Sequence, residues 1–186
     1  MAAQEVAQRH GKLYRPSQDG RIFHGATAAT GVAPGTAIST TAAFSVHNPS
    51  DSLVDIAILK AAMGYISGTL GAGTVWHLIN NDPTAAAPTG TAIVEIAGRV
   101  NGPGGKGVAL TTVTLAVAPK IIRPFCSIGA SLATTAVQPW QVVEDVDGAI
   151  IIPPGCTYSL HGTAAAGTAP LVAFGVTWEE IPLGVD

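Results

Sequence analysis

Charge is what this chain has least of. Its 186 residues include nine Lys or Arg and twelve Asp or Glu, 11% in all, where an ordinary soluble domain carries roughly 25%. Aromatic residues are also sparse, at 5%, and too scattered to form a stacking platform for bases or sugars. The net charge of −3 comes with no acidic or basic block, so nothing in the balance points to nucleic acid or to a membrane surface as partner. Cysteines number two, Cys126 and Cys156, with no CxxC spacing and no His at ligand distance in sequence. That excludes the usual zinc and dithiol motifs. Two reduced thiols are the expected state, although spacing alone leaves a disulfide open. No uninterrupted apolar run is long enough to span a bilayer, because the richest stretch, Leu53 to Ile79, contains Asp55, Lys60 and several glycines. Met1 to Tyr14 has Glu5 and Arg9 but no apolar centre, so it does not read as a secretory leader.

What is present is apolar and small. The chain is 47% hydrophobic, with 22 glycines and 13 prolines. From Ser39 onward it reads as short apolar runs separated by Gly and Pro clusters, the pattern of an antiparallel sandwich or barrel. Two runs alternate cleanly. Val113, Leu115 and Val117 point one way against Thr112, Thr114 and Ala116, and Val172, Phe174, Val176 and Trp178 share a face opposite Ala173, Gly175 and Thr177. Further strands are expected at Thr40 to His47, Leu53 to Ser67, Thr74 to Asn80, Thr91 to Gly98, Gln138 to Val143, Ala149 to Ile152 and Thr157 to His161, with turns at Asn48-Pro49, Asp82-Pro83, Asn101-Gly102 and Pro154-Gly155. About eight antiparallel strands and no helix predict an all-β fold, a single jelly-roll sandwich over residues 39–182. An up-and-down barrel or an immunoglobulin-like sandwich is the competing topology. Residues 1–38 are expected to form an extended basic N-terminal arm with one short strand at Arg21 to His24, and residues 183–186 a C-terminal tail.

Catalytic chemistry finds little support, and the expectation is that this is no enzyme and carries no cofactor. His10, His24, His47, His77 and His161 never occur as H-x-H, so the ligand set of a cupin-like metal enzyme is missing. The stretch Asn101 to Gly107 is glycine-rich and ends in Lys106-Gly107, but it leads into a strand and offers no helix N-terminus to a phosphate. It reads as a flexible hairpin loop. Glu144, Asp145 and Asp147 lack the spacing of a calcium loop, and Glu179 and Glu180 cannot share one side of a strand. Trp76, Trp140 and Trp178 are expected as core or interface anchors.

The distribution of charge is more informative. Arg9, Lys12, Arg15 and Arg21 stand in the first 21 positions, whereas beyond Arg123 every ionised residue is acidic: Glu144, Asp145, Asp147, Glu179, Glu180 and Asp186. A basic front and an acidic back can attract each other within one chain or between copies. Exposed strand faces made of Thr, Ser, Ala and Gly suit a subunit that ends up inside an assembly.

Two segments carry a resemblance. One runs from His47-Asn48-Pro49-Ser50-Asp51-Ser52 to Gly64-Tyr65-Ile66-Ser67-Gly68-Thr69-Leu70-Gly71-Ala72-Gly73. The other pairs Ile150-Ile151-Ile152-Pro153-Pro154-Gly155 with Phe174-Gly175-Val176-Thr177-Trp178-Glu179-Glu180-Ile181-Pro182. Together they resemble the jelly-roll decoration, or cement, proteins of tailed bacteriophage heads. That resemblance implies a virion structural protein on the outer surface of the capsid, present in the host cytoplasm during assembly. It implies a homotrimer that clamps neighbouring major capsid proteins, often by an N-terminal arm. On this reading Arg9, Lys12, Tyr14, Arg15, Arg21 and Phe23 are the candidate contact residues, and Glu144, Asp145, Asp147, Glu179 and Glu180 are their candidate acidic counterparts. A phage tail or fibre component that binds host glycans through loops 81–90 and 99–107 is the alternative virion role.

Overall fold

One short helix and eleven strands make up the regular structure of the residues described in the computed structural model, which are 11–128, 141–163 and 167–184. In chain order they are α1 (Tyr14–Gln18), β1 (Ile22–Ala26), β2 (Thr41–His47), β3 (Val54–Ser67), β4 (Gly73–Asn80), β5 (Thr89–Ala92) and β6 (Ile96–Ala97). After these come β7 (Val108–Thr114), β8 (Lys120–Ile128), β9 (Gln141–Ile152), β10 (Thr157–Gly162) and β11 (Leu171–Pro182). They form two antiparallel sheets, one of five strands in the order β6-β1-β11-β3-β9 and one of six in the order β5-β7-β2-β10-β4-β8. The chain steps between sheets from β2 to β3 to β4 and again from β8 through β11. The expected all-β sandwich is what forms, with more strands than the eight anticipated.

Why these segments become strands is visible in their burial. β11 alternates along its length, with Val172, Phe174, Val176 and Trp178 buried and Ala173, Gly175 and Thr177 half-buried opposite them. On the facing sheet, Phe44 and Val46 of β2 pair with Leu160 and Tyr158 of β10, and all four are fully buried. Each such side chain contributes about 1.5–3 kcal/mol of transfer free energy. Trp178 sits at the centre with its ring stacked on Phe23, centroids 6.2 Å apart. The alternate face of β2 and β10 is buried as well: Ser45, Ser159 and His161 are each at most 1% exposed. Part of the low charge therefore reflects strands enclosed on both sides, where an ion would lose its hydration.

Several elements depart from the sequence expectation. The strand expected over Thr91 to Gly98 is two short pieces, β5 and β6. Those expected at Gln138 to Val143 and Ala149 to Ile152 are one long strand, β9, kinked where Asp147 and Gly148 take φ of 52° and 78°. β8 was not anticipated, because Lys120, Arg123 and Pro124 interrupt its alternation. In the N-terminal stretch, Ile22–Ala26 form β1, seated between β6 and β11 with Ile22 and Phe23 buried. Val32 bridges to Val172, and the Gly162 amide donates to Pro34 O.

The four sheet edges are all poor templates for a further strand. β5 and β6 have four and two residues. β8 carries Lys120, Arg123 and Pro124 and shifts register twice against β4. β9 carries Glu144, Asp145 and Asp147 beside its kink. Charge, proline, bulges and shortness are the devices that keep edges from pairing with other chains.

The turn between β2 and β3 is clamped by Asn48, which is fully buried and donates through Nδ2 to Val54 O and Ile152 O, both at 2.8 Å. Its own backbone N–H donates to the Cys156 carbonyl, and its carbonyl accepts the Gly155 N–H. Three segments thus meet on one side chain. Asn48→Ala takes the Nδ2 donor from two buried carbonyls, leaving Val54 O only a long 3.4 Å bond from Ser52 Oγ, and is expected to cost about 2–4 kcal/mol. The check is a lower urea midpoint with an unchanged m-value.

Candidate functional site: surfaces, paired charges and a pinned loop

The basic front does meet the acidic back within the chain. Lys12 pairs with Asp147, Arg21 Nη1 lies 3.1 Å from Glu179, and Arg15 pairs with Asp19 of its own helix. Lys60 pairs with Asp145 across β3 and β9. Lys12, Leu13 and Pro16 gather around Leu59, Asp147 and Glu179, so the first described residues cover one end of the outer face of the five-stranded sheet. Such exposed pairs are worth little in stability, but they remove net field from the surface. Tyr14 is 42% exposed, and Phe23 is spent in the core. Arg9 and Asp186 lie outside the described residues, as does Trp140. Trp76 is half-buried and donates from Nε1 to Thr163 Oγ1 at 2.8 Å.

Beyond that covered end no described residue lies over the outer face, which is made largely of small residues. Val143, Ala62, Gly175 and Ala26 lie in register across four strands, and Gln141, Gly64 and Ala173 form the next row. They floor an open recess of about 520 Å³. Neither Gly64 nor Gly175 is crowded, since a Cβ at either would touch nothing closer than 3.9 Å.

The acidic cluster disperses. Asp145 and Asp147 take the two lysines, whereas Glu144 turns inward between the edges of the two sheets. There its Oε2 receives the Nε2 proton of His77 at 3.0 Å, and its Oε1 receives Arg123 Nη2 at 2.5 Å. Tyr158 O–H donates to His77 Nδ1 at 2.6 Å, which fixes a neutral imidazole with its proton on Nε2. Phe125 packs on the ring at 5.1 Å. Burial holds the His77 pKa down against the opposing pull of Glu144. Burial alone would raise Glu144, but the hydrogen bonds from His77 and Arg123 and their charges keep it below the usual carboxylate range. Four side chains from β4, β8, β9 and β10 thereby tie the sheets together. Tyr158 and His77 are fully buried, so neither is presented to solvent.

Glu180 does something sequence reasoning missed. It points inward, and its carboxylate accepts from Lys106 N at 2.8 and 2.9 Å, from Gly107 N at 2.8 Å and from Trp178 Nε1 at 3.3 Å. The glycine-rich loop thus holds an anion on its amides after all, and the anion is the chain's own. A Cβ at 107 would come within 2.9 Å of Ile56 Cδ1 and 3.2 Å of the Trp178 nitrogen, so any side chain there requires Ile56 to shift. The loop is pinned at this end, not free. Glu179, the neighbour, faces out to Arg21, so the two glutamates do take opposite sides.

The remaining histidines are dispersed. His24 lies 2.9 Å from Thr177 Oγ1, His47 2.9 Å from Thr157 Oγ1, and His161 3.0 Å from Ser159 Oγ. Among the described residues no three His, Cys, Asp or Glu groups gather as a metal would require. Both cysteines are free thiols. Burial pushes Cys126 up to about 11 and raises Cys156. At pH 8 Cys126 in the native protein should therefore react with a disulfide reagent about 100-fold more slowly than a free cysteine, because the thiolate is the nucleophile. Denaturant should release two fast equivalents, which a thiol titration reads directly.

Compared with known proteins, the chain matches no family model, no curated protein and no solved structure.

Proposed function

We propose that this chain is a virion structural protein, a homotrimeric decoration protein that clamps neighbouring major capsid proteins and stabilises a phage head. The observation that carries the reading is the character of the outer surface. Its cations are largely neutralised by its own carboxylates, and the half of the five-stranded sheet that no described residue covers is an open recess floored mainly by Ala and Gly. A surface of that kind packs against protein at low desolvation cost. The Glu144 and Glu180 clusters, by contrast, tie one sheet to the other and a loop to a strand, which suits a rigid cement. The physics of cementing is linkage: a protein that binds only the closed, expanded shell stabilises that state in proportion to its occupancy.

The test adds purified protein to expanded, empty heads that lack it. Saturable co-sedimentation, together with a higher temperature of shell rupture, is the expected result. Absence of binding, or binding that leaves rupture unchanged, rejects the role. A chain that sediments as a monomer at micromolar concentration rejects the trimer.

A further inference from the structure

Two exposed patches on this chain complement each other in charge and in apolar character. The first is the excursion between β5 and β7. Val94, Ile96 and Val100 are 85%, 65% and 87% exposed, and Arg99 and Lys106 stand in the same fifteen-residue span. Eight of the nine cations are described, and five of them, Lys12, Arg15, Arg21, Lys60 and Arg123, are in salt bridges. Arg99 and Lys106 are in none, and Lys120 stands near Asp82.

This excursion is also braced. Glu180 holds the amides of Lys106 and Gly107, Glu95 accepts the Ala109 amide at 2.9 Å, and the Gly98 amide donates to Ile22 O at 2.7 Å. Its two carboxylates, one its own and one borrowed from β11, are thus turned onto backbone donors. The exposed remainder is cationic and aliphatic on a chain whose net charge is −3. A preorganised loop loses little entropy on docking.

The second patch lies at the start of β3 and the end of β11. Leu53 is 73% exposed and takes a left-handed φ of 59°, a conformation that costs a residue with a Cβ roughly 1–2 kcal/mol. The Asn48 clamp on either side of this turn holds the leucine out in water. Leu183 donates its amide to Leu53 O and is 48% exposed, and Ile181, 39% exposed, is the cross-strand partner of Asp55. Asp51 and Asp55 have no cation in salt-bridge contact among the described residues, which leaves this patch aliphatic and anionic.

We propose that the 93–107 excursion of one copy docks on the Leu53, Asp55, Ile181 and Leu183 end of the next, with Arg99 and Lys106 facing Asp51 and Asp55. Two different patches meeting make a heterologous contact, which closes into a ring when the rotation between copies permits. The poor edge strands turn assembly away from strand addition and towards this contact. The inference rests on the self-association in the reading above, but not on the capsid.

Sedimentation of the full chain at micromolar concentration tests it, with two charge-reversal variants, R99E/K106E and D51K/D55K. All four positions are exposed or half-buried and lie away from the core, so unchanged far-UV dichroism and thermal midpoints serve as the folding control. Each variant alone is expected to associate at least about tenfold more weakly than the wild type, and an equimolar mixture to recover association. V94S/V100S is expected to weaken it with no charge change. A monomeric wild type, variants that associate normally, or a mixture that stays apart each overturns the contact. Normal oligomers that fail to bind heads overturn only the capsid reading. Heads bound normally by both reversed variants, with oligomers intact, overturn only this contact.

Discussion

Glu180→Ala is expected to be the most damaging single substitution in the described part of the chain. The carboxylate is 6% exposed and serves three donors, the amides of Lys106 and Gly107 and the indole of Trp178. Removing it leaves each of them facing a space too small and too apolar to hydrate them well. Losing a buried charged acceptor costs about 3–5 kcal/mol, a large part of the 5–15 kcal/mol that a domain of this kind has in hand. Glu180→Gln keeps one acceptor oxygen in place and is expected to recover about half. Urea unfolding followed by tryptophan fluorescence reads both, since Trp178 is part of the network. Unfolding midpoints for the alanine variant within about 1 kcal/mol of wild type would mean the loop amides are solvated without the carboxylate.

Acid is expected to weaken the fold well before ordinary carboxylates titrate. His47, His77 and His161 are at most 7% exposed, and burial lowers the pKa of each, that of His161 to about 4. A depressed folded value means that the unfolded chain binds protons first. The stability carried by these neutral rings is therefore complete above about pH 6.5 and is lost as pH falls towards the folded value. For His161 alone the span from 6.5 to about 4 corresponds to about 3 kcal/mol. Its Nδ1 has no hydrogen-bond partner among the described residues, so none of them rewards a proton there. His161→Gln should flatten the decline of unfolding free energy between pH 6.5 and 4, while the slope left behind reports His47 and His77. Below that window Glu144, held low by His77 and Arg123, adds its own loss in the same direction. A free energy of unfolding that stays level from pH 7 to 4.5 would contradict the burial of these rings.

How much of this was legible in the sequence depends on how local the signal is. β11 announces itself because each inward side chain is apolar and its neighbour small, a pattern that needs only two residues of context. β8 stayed hidden because Lys120, Arg123 and Pro124 are there to spoil an edge, and the features that protect an edge also erase a strand's period. β9 appeared as two strands because Asp147-Gly148 reads as a turn, whereas the pairing with β3 carries on through a kink. The attraction between basic front and acidic back could be read from the order of charges, but its partners could not. Glu179 and Glu180 are adjacent, and alternation alone says that one faces in. That the inward one closes on the Lys106 and Gly107 amides requires knowing how the two segments, more than 70 positions apart, are folded together. The glycines of that loop signalled close backbone approach, and the approaching group was a carboxylate from the chain itself.

The seating of β10 and β11 has a bearing on how the molecule is made. β10 is inserted between β2 and β4, and β11 between β1 and β3, so each sheet receives an interior member from beyond residue 156. A ribosome-bound chain that lacks this portion has gaps in both layers, and Trp178 is not yet there to plug the middle. Closure must therefore wait until these strands have been made, and a product truncated before them should fail outright, with no partial sandwich for quality-control proteases to mistake for a finished one.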